Sequence, residues 1–175
     1  RRAEQHGGTV MSASALRYAE ALTAAIADDS LGPIIGVDVY GPMGLQPTQP
    51  GLFWYGIHMA DMLFPALGAD CVEVNAVKTE NHDVVVGTWA DGRLGTIRGN
   101  RVGNSKFGAV LHREKGSVFV DVYSNPKPYY ASLLERVMEM FLTGTVPIRP
   151  EETLRVIRFL EAANESRDSG RAVRL

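Results

Sequence analysis

The sequence predicts an α+β fold, in which helices pack on one face of an open, predominantly antiparallel sheet of about five or six strands. Two observations predict it. The middle of the chain consists of short runs rich in β-branched residues, and turn pairs typical of hairpins join them, such as Asp91-Gly92 and Lys115-Gly116. The end of the chain carries two long segments with apolar residues at helical spacing. That spacing indicates helices with one buried stripe.

The N-terminal part of the chain mixes helical and extended patterns. The opening letters RRAEQHGG are typical of a helix end closed by a glycine pair. Residues 9–17 alternate small and apolar side chains, which predicts a strand, and residues 18–28 predict a helix. A second strand is predicted at residues 33–41, and a loop rich in Gly and Pro follows at residues 42–51.

The stretch GLFWYGIHMADMLFPALG, residues 51–68, predicts a helix that is apolar on every side and therefore buried. We expect Pro65 to bend or end this helix and Gly68 to terminate it. The hairpin region that follows predicts strands at residues 71–79, 82–90, 93–99, 106–114 and 117–123.

Two helices are predicted at the C-terminal end. The first, residues 128–144, carries Leu133, Val137 and Phe141 four residues apart, as a stripe for packing on the sheet. The second, residues 150–170, begins with a proline and two acidic residues, which suit the positive end of a helix dipole.

Composition excludes several classes of function. The 175 residues carry a formal charge of -2 and 22% charged residues without a basic stripe, so we expect no nucleic acid partner. The single Cys71 cannot form an internal disulfide, and no Cys and His pattern has zinc-site spacing, so we expect no metal. No apolar run approaches the roughly 20 residues that span a bilayer. We therefore expect a cytoplasmic chain without a membrane partner.

Two families of catalytic motif are missing from the sequence. It contains no G-x-G-x-x-G turn and no Walker motif, which a dinucleotide or nucleotide enzyme needs where backbone meets phosphate. A G-x-S-x-G elbow is also missing. If a cofactor is used, its main site therefore lies outside this chain.

His58 and Asp61 are the ionisable groups of the apolar helix. They are three residues apart, hence neighbours on one face, and Trp54 lies one turn before His58. In a functional interpretation Asp61 orients a proton-transferring or hydroxyl-binding imidazole. In a structural interpretation the two side chains only hydrogen-bond to each other inside a buried helix. These residues alone slightly favour this structural interpretation. Tyr55 either donates a hydrogen bond from its hydroxyl group or simply packs against neighbouring side chains.

Arginines cluster around the predicted hairpin WADGRLGTIRGNR. Arg98 and Arg101, beside glycines that leave the backbone open, either hold a carboxylate or sugar hydroxyls or protect a solvated strand edge. Asp38 and Tyr40 alternate with valines, so they share a sheet face that meets either a ligand or water.

In its order of elements the chain resembles the glucose-fructose oxidoreductase, inositol dehydrogenase and rhizopine catabolism family, Gfo/Idh/MocA. The resemblance rests on VMSASALRY, GIHMADMLFPALG with its His and Asp, WADGRLG, and EETLRVIRFLEAANESRDSGRAVRL. It implies that residues 1–17 are the last helix and strand of an N-terminal domain that binds NAD or NADP. Residues 18–175 are then the substrate-binding and oligomerisation domain, with a fold like the second domain of dihydrodipicolinate reductase.

The resemblance also implies roles for individual residues. His58 matches the substrate-site histidine that assists proton transfer, and Arg17 and Tyr18 match the interdomain crossing near nicotinamide and substrate. Trp54 stands where many family members have an Asp, so Tyr55 is our hypothetical substitute for the acid. The lysine of the family's E-K-P motif has no counterpart in this sequence.

The function implied is hydride transfer between a nicotinamide and a sugar, cyclitol or similar polyol. The resemblance also implies that the parent protein is a homo-oligomer whose subunits contact one another through the sheet. The chain alone would be inactive. Two alternatives stay open: a non-catalytic binding or dimerisation module, and an NAD-using glycosidase of the same family. The substrate side would consist of Arg17, Tyr18, Trp54, Asp61, Arg98 and Arg101, with His58 and Tyr55 as catalytic residues and Arg17 also near the cofactor.

Overall fold

The structure, a computed structural model, describes residues 2–175. Its strands are β1 (Ile34–Pro42), β2 (Cys71–Lys78), β3 (His82–Trp89), β4 (Leu94–Asn100), β5 (Gly108–Arg113), β6 (Gly116–Asp121) and β7 (Val173–Arg174). Within the described residues they form one seven-stranded sheet in the order β6-β5-β1-β4-β3-β2-β7. β1 and β4 pair in parallel and the other neighbours are antiparallel. The predicted open, predominantly antiparallel sheet is confirmed, but with seven strands rather than five or six.

The added strand is β7, which pairs with β2 at the sheet edge through Glu73 and Arg174. Two residues are too short to show a strand period, so sequence alone could not reveal it. The predicted strand at residues 9–17 is wrong. Ser14 donates its backbone N–H to Asp61 rather than to a strand, and a 3-10 turn, Ala15–Tyr18, follows it.

The helices are α1 (Arg2–Gln5), α2 (Glu20–Ala27), α3 (Gly56–Leu67), α4 (Tyr129–Thr143) and α5 (Pro150–Ser169). α2, α3 and α5 contact the sheet. Alternate strand residues such as Val37, Val39 and Ile97 are buried beneath these helices, whereas Tyr40 and Arg98 lie on the opposite, more exposed face. No helix among the described residues has the length and apolarity to cross a membrane.

The C-terminal end of α3 is held by the β3–β4 hairpin. Pro65 does not end the helix, which continues to Leu67 and stops at Gly68 with φ 82°. Arg93 donates from Nη2 to the carbonyl of Leu67 at 2.9 Å, and Trp89 donates from Nε1 to the carbonyl of Gly68 at 2.8 Å. Helix ends leave carbonyls without partners, so these two side chains have a structural role.

α4 departs from the predicted packing. It lies against the 3-10 turn Ala15–Tyr18 rather than on the sheet. Within its predicted stripe, Phe141 is 71% exposed, whereas Leu133 and Val137 are half-buried. The amphipathic spacing identified the helix correctly but could not show which surface it packs against.

Glycine on β4 allows α3 to approach the sheet. A Cβ at Gly95 would lie 2.6 Å from Leu67 Cδ1 and 2.8 Å from Trp89 Cζ3. Distances below 3 Å force the neighbours to move, and the indole of Trp89 is fully buried. The packing of the core therefore leaves no room for a side chain at position 95.

We expect Gly95→Ala to lower the free energy of unfolding by about 1–3 kcal/mol, because it overpacks the contact between α3 and the sheet. Urea denaturation measures the change. Gly116→Ala is the control, because a Cβ there meets Leu31 at an ordinary 3.4 Å. Equal stability of Gly95→Ala and wild type would contradict this packing account.

Candidate functional site

Asp61 is the buried centre of the candidate site. It lies on α3, 4% exposed, and accepts hydrogen bonds from the backbone N–H of Ser14 at 2.6 Å and from Arg17 Nη1 at 2.9 Å. Arg17 also pairs with Glu152 of α5. Burial raises the pKa of Asp61, while the Arg17 charge and the Ser14 hydrogen bond oppose that rise. Asp61 thus ties three separate segments together.

His58 lies one turn before Asp61 on α3, but the two side chains do not bond to each other. His58 Nδ1 is 2.9 Å from Ser14 Oγ. The prediction that Asp61 orients the imidazole directly is therefore corrected: Asp61 holds the Ser14 backbone, and the Ser14 side chain meets the ring. Burial lowers the pKa of His58, which favours the neutral ring.

Aromatic rings surround the other side of the imidazole. Tyr55 stacks on Phe107 with ring centres 6.4 Å apart and 9° between the planes. The His58 ring meets both edge-on, at 5.7 Å from Tyr55 and 5.8 Å from Phe107. Together with Ser14, Ala15, Leu16, Tyr129 and Tyr130 these side chains line a pocket of about 160 Å³. Rings and hydroxyls of this kind suit a small polyhydroxylated molecule.

A second, smaller pocket of about 110 Å³ adjoins His58. Ser12, Ser14 and Asp61 line it from one side, and Thr153 and other residues at the start of α5 line it from the other. His58 therefore separates two cavities, and a ligand in either one could reach its ring. Among the described residues no group of three His, Cys, Asp or Glu side chains could hold a metal ion.

Trp54 does not form the expected wall beside His58. It is 47% exposed and contacts Tyr55 edge-on at 6.3 Å. α3 begins only at Gly56, after a separate 3-10 turn at Gly51–Phe53, so positions 54 and 58 do not share one helix face. Tyr55 takes the place beside the imidazole that the helical spacing assigned to Trp54.

The remaining predicted residues lie elsewhere. The Tyr18 hydroxyl is buried without a hydrogen-bond partner among residues 2–175, and burial raises its pKa. Arg98 is exposed on the open sheet face. Arg101 pairs with the buried Asp83 and donates to the carbonyls of Thr79 and Glu80, so it closes the β2–β3 turn. The structure does not bring Arg98 or Arg101 to the His58 pockets.

Arg17 was expected near substrate and cofactor. Its guanidinium is 8% exposed and lies between Asp61 and Glu152. Two carboxylates already neutralise this charge, and the expected role of Arg17 beside substrate and cofactor stays a prediction. The structure assigns Arg17 to holding the site together.

Sequence reasoning missed four residues that build the site: Ser14, Phe107, Tyr129 and Glu152. Ser14 carried a local signal, because Ser commonly caps the turn that follows it. Its side chain does accept the Leu16 N–H at 3.2 Å. The others carried no signal, because they reach the site only through long-range packing.

We expect Arg17→Met to lower the free energy of unfolding by about 3–5 kcal/mol, because it leaves the buried Asp61 carboxylate without its partner. Adding Asp61→Asn should restore part of the loss in a double-mutant cycle. Arg98→Met, on the exposed face, is the matched control and should change stability by at most about 0.5 kcal/mol. Equal losses in the Arg17 and Arg98 variants would refute the buried pairing.

The comparisons with known proteins extend this description. No model of a known protein family matches the sequence, and neither does a curated protein sequence. Solved structures do match. GenD2 from gentamicin A biosynthesis, in complex with NAD, superposes with a TM-score of 0.82 at 21% identity, over 99% of this chain and 65% of its own.

Two further structures match over a similar extent. Scyllo-inositol dehydrogenase from Lactobacillus casei, with bound NAD(H) and scyllo-inositol, has a TM-score of 0.80 at 11% identity, over 98% of this chain and 66% of its own. Aldose-aldose oxidoreductase from Caulobacter crescentus, with glycerol, has a TM-score of 0.72 at 19% identity, over 98% and 65%. This chain therefore spans about 65% of the length of such proteins and has the fold of the Gfo/Idh/MocA dehydrogenases that its motifs resemble.

Proposed function

We propose that this chain forms the substrate-binding part of an NAD-dependent oxidoreductase that acts on a carbinol of a sugar, cyclitol or similar polyol. The observation that carries the proposal is the half-buried His58, anchored by Ser14 at Nδ1 and facing an aromatic pocket. The shared fold adds support, because structures with this fold hold NAD, and one of them also holds scyllo-inositol.

The substrate would lie between His58 and the aromatic side chains of Tyr55 and Phe107. Sugar and cyclitol rings have apolar C–H faces that pack on aromatic rings, and their hydroxyls bond to imidazole and phenol groups. In the oxidative direction the carbinol carbon gives up a hydride and its oxygen gives up a proton. His58 contacts the reacting oxygen and assists the reaction by a hydrogen bond to it, and Tyr55 stands in for the acid that Trp54 replaces.

NAD, when bound, accepts or supplies the hydride. The described residues do not offer a site for its phosphates: the sequence has no glycine-rich phosphate turn, and the Arg17 charge is neutralised by Asp61 and Glu152. We propose that a nucleotide-binding domain preceding residue 18 holds the cofactor, which could equally be NADP. On this proposal the 175-residue chain binds substrate but does not turn it over.

In the full-length protein, we expect His58→Ala to lower kcat/KM for polyol oxidation by about 10²-fold or more, as for a lost hydrogen bond to the reacting oxygen. Tyr55→Phe should lower it less but measurably, because only a hydroxyl is removed. NAD reduction with a panel of inositols and aldoses measures both. Tyr40→Phe, on the open sheet face, is the matched control and should leave the rate unchanged.

Two outcomes would contradict this proposal. Full turnover of the best substrate by Tyr55→Phe would exclude the hydroxyl from the chemistry. Calorimetric titration of the 175-residue chain alone should show no tight NAD binding. Tight binding would contradict the proposal that a domain preceding residue 18 holds the cofactor.

The open face of the sheet is the surface on which we propose a second copy of the chain packs. Phe119 is 65% exposed there and stacks on Tyr40, and Leu94 on β4 is 49% exposed. Exposed apolar side chains on a sheet face mark a surface that another protein buries. In a symmetric dimer, the same face of each copy packs against that of the other.

We expect the wild-type chain to sediment as a dimer and Leu94→Lys to sediment as a monomer, because a charge on this face would be buried in the interface without a partner. Leu142→Lys is the control, since Leu142 is 82% exposed on α4, away from the sheet. A monomeric wild type, or a dimer broken only by the α4 substitution, would refute the sheet interface.

A further inference from the structure

We propose that Ser14 is a positioning residue that holds neutral His58 in the tautomer with its proton on Nε2, so that His58 offers the substrate oxygen a hydrogen-bond donor rather than a base. The inference rests on the proposed function and narrows it. It follows from counting donors and acceptors around one hydroxyl group.

Ser14 is fixed before its side chain meets the histidine. Its backbone N–H donates to Asp61 Oδ2 at 2.6 Å, and the residue is 7% exposed. Its Oγ accepts the backbone N–H of Leu16 at 3.2 Å. The hydroxyl oxygen therefore lies at a defined place, 2.9 Å from His58 Nδ1.

The two hydrogen bonds of Oγ have opposite direction. The backbone N–H of Leu16 can only donate, so it occupies an acceptor position of the oxygen. Within the described residues, His58 Nδ1 is the acceptor that the Ser14 hydroxyl hydrogen can reach. If Nδ1 carried the proton instead, the hydroxyl hydrogen of a buried serine would lose its partner, which costs free energy.

The neutral ring then carries its single proton on Nε2. Burial lowers the pKa of His58, which favours the neutral ring. Nε2 forms no hydrogen bond to any described residue, so it is the nitrogen left for a ligand in the adjoining pockets.

An Nε2–H group has a different use from a free nitrogen lone pair. It can stabilise a carbonyl oxygen, or an alkoxide in which negative charge develops, but it cannot accept the proton of a carbinol. On this proposal His58 does not take up the proton of the carbinol, and the Tyr55 hydroxyl in the same pocket can donate a second hydrogen bond to the same oxygen.

Long-range proton–nitrogen NMR spectra of the 175-residue chain, recorded at a pH where His58 is neutral, test the tautomer without any turnover. We expect wild type to show Nδ1 as the unprotonated nitrogen and Nε2 as the protonated one. Ser14→Ala should give a mixture of both tautomers. Ser14→Thr, which keeps the hydroxyl, should restore the wild-type pattern.

Ser12→Ala is the matched control, because Ser12 lines the adjoining pocket on the same segment and should leave the tautomer unchanged. A proton on Nδ1 in wild type would overturn the proposal, as would an unchanged tautomer in Ser14→Ala. If Ser14→Ala does not fold, the wild-type and Ser14→Thr spectra still decide between the tautomers. Failure of polyol turnover alone would count against the proposed function and not against this tautomer.

Discussion

The organisation of the site depends on one buried carboxylate. Asp61 lies inside the protein with its two oxygens bonded to the Ser14 backbone and to Arg17. An ionised carboxylate is costly to bury unless charge and hydrogen bonds compensate for the lost water. The compensation comes from a segment more than forty residues earlier in the chain, and Arg17 of that segment also pairs with Glu152 on α5. The charge therefore dictates where these segments must lie.

The position of His58 follows from this constraint in the middle of α3 and from the hairpin cap at its C-terminal end. Asp61 draws the N-terminal segment against the helix, which places Ser14 at the imidazole. Arg93 and Trp89 hold the last carbonyls of the same helix against the sheet. A helix fixed at two points can hold a side chain with the precision that a binding or catalytic site requires.

The division between structural and functional polar groups is clear in the finished fold. The arginines at positions 17, 93 and 101 all bond to carboxylates or carbonyls inside the chain. The aromatic side chains around His58 instead line a cavity. A pocket lined by rings and hydroxyls suits the neutral polyhydroxylated ligand of the proposed function better than a charged one.

Local patterns in the sequence were enough to predict the sheet, its hairpins, the apolar helix and His58 as its unusual residue. Each of these rests on periodicity or turn chemistry within a short window. The same patterns could not show that residues 9–17 leave the sheet, that Tyr55 replaces Trp54 beside the imidazole, or that α4 packs on the 3-10 turn Ala15–Tyr18. These outcomes depend on contacts between distant segments, above all those that satisfy the buried charge of Asp61. Only the tertiary structure brings such partners together, because their attraction acts through space and leaves no period in the chain.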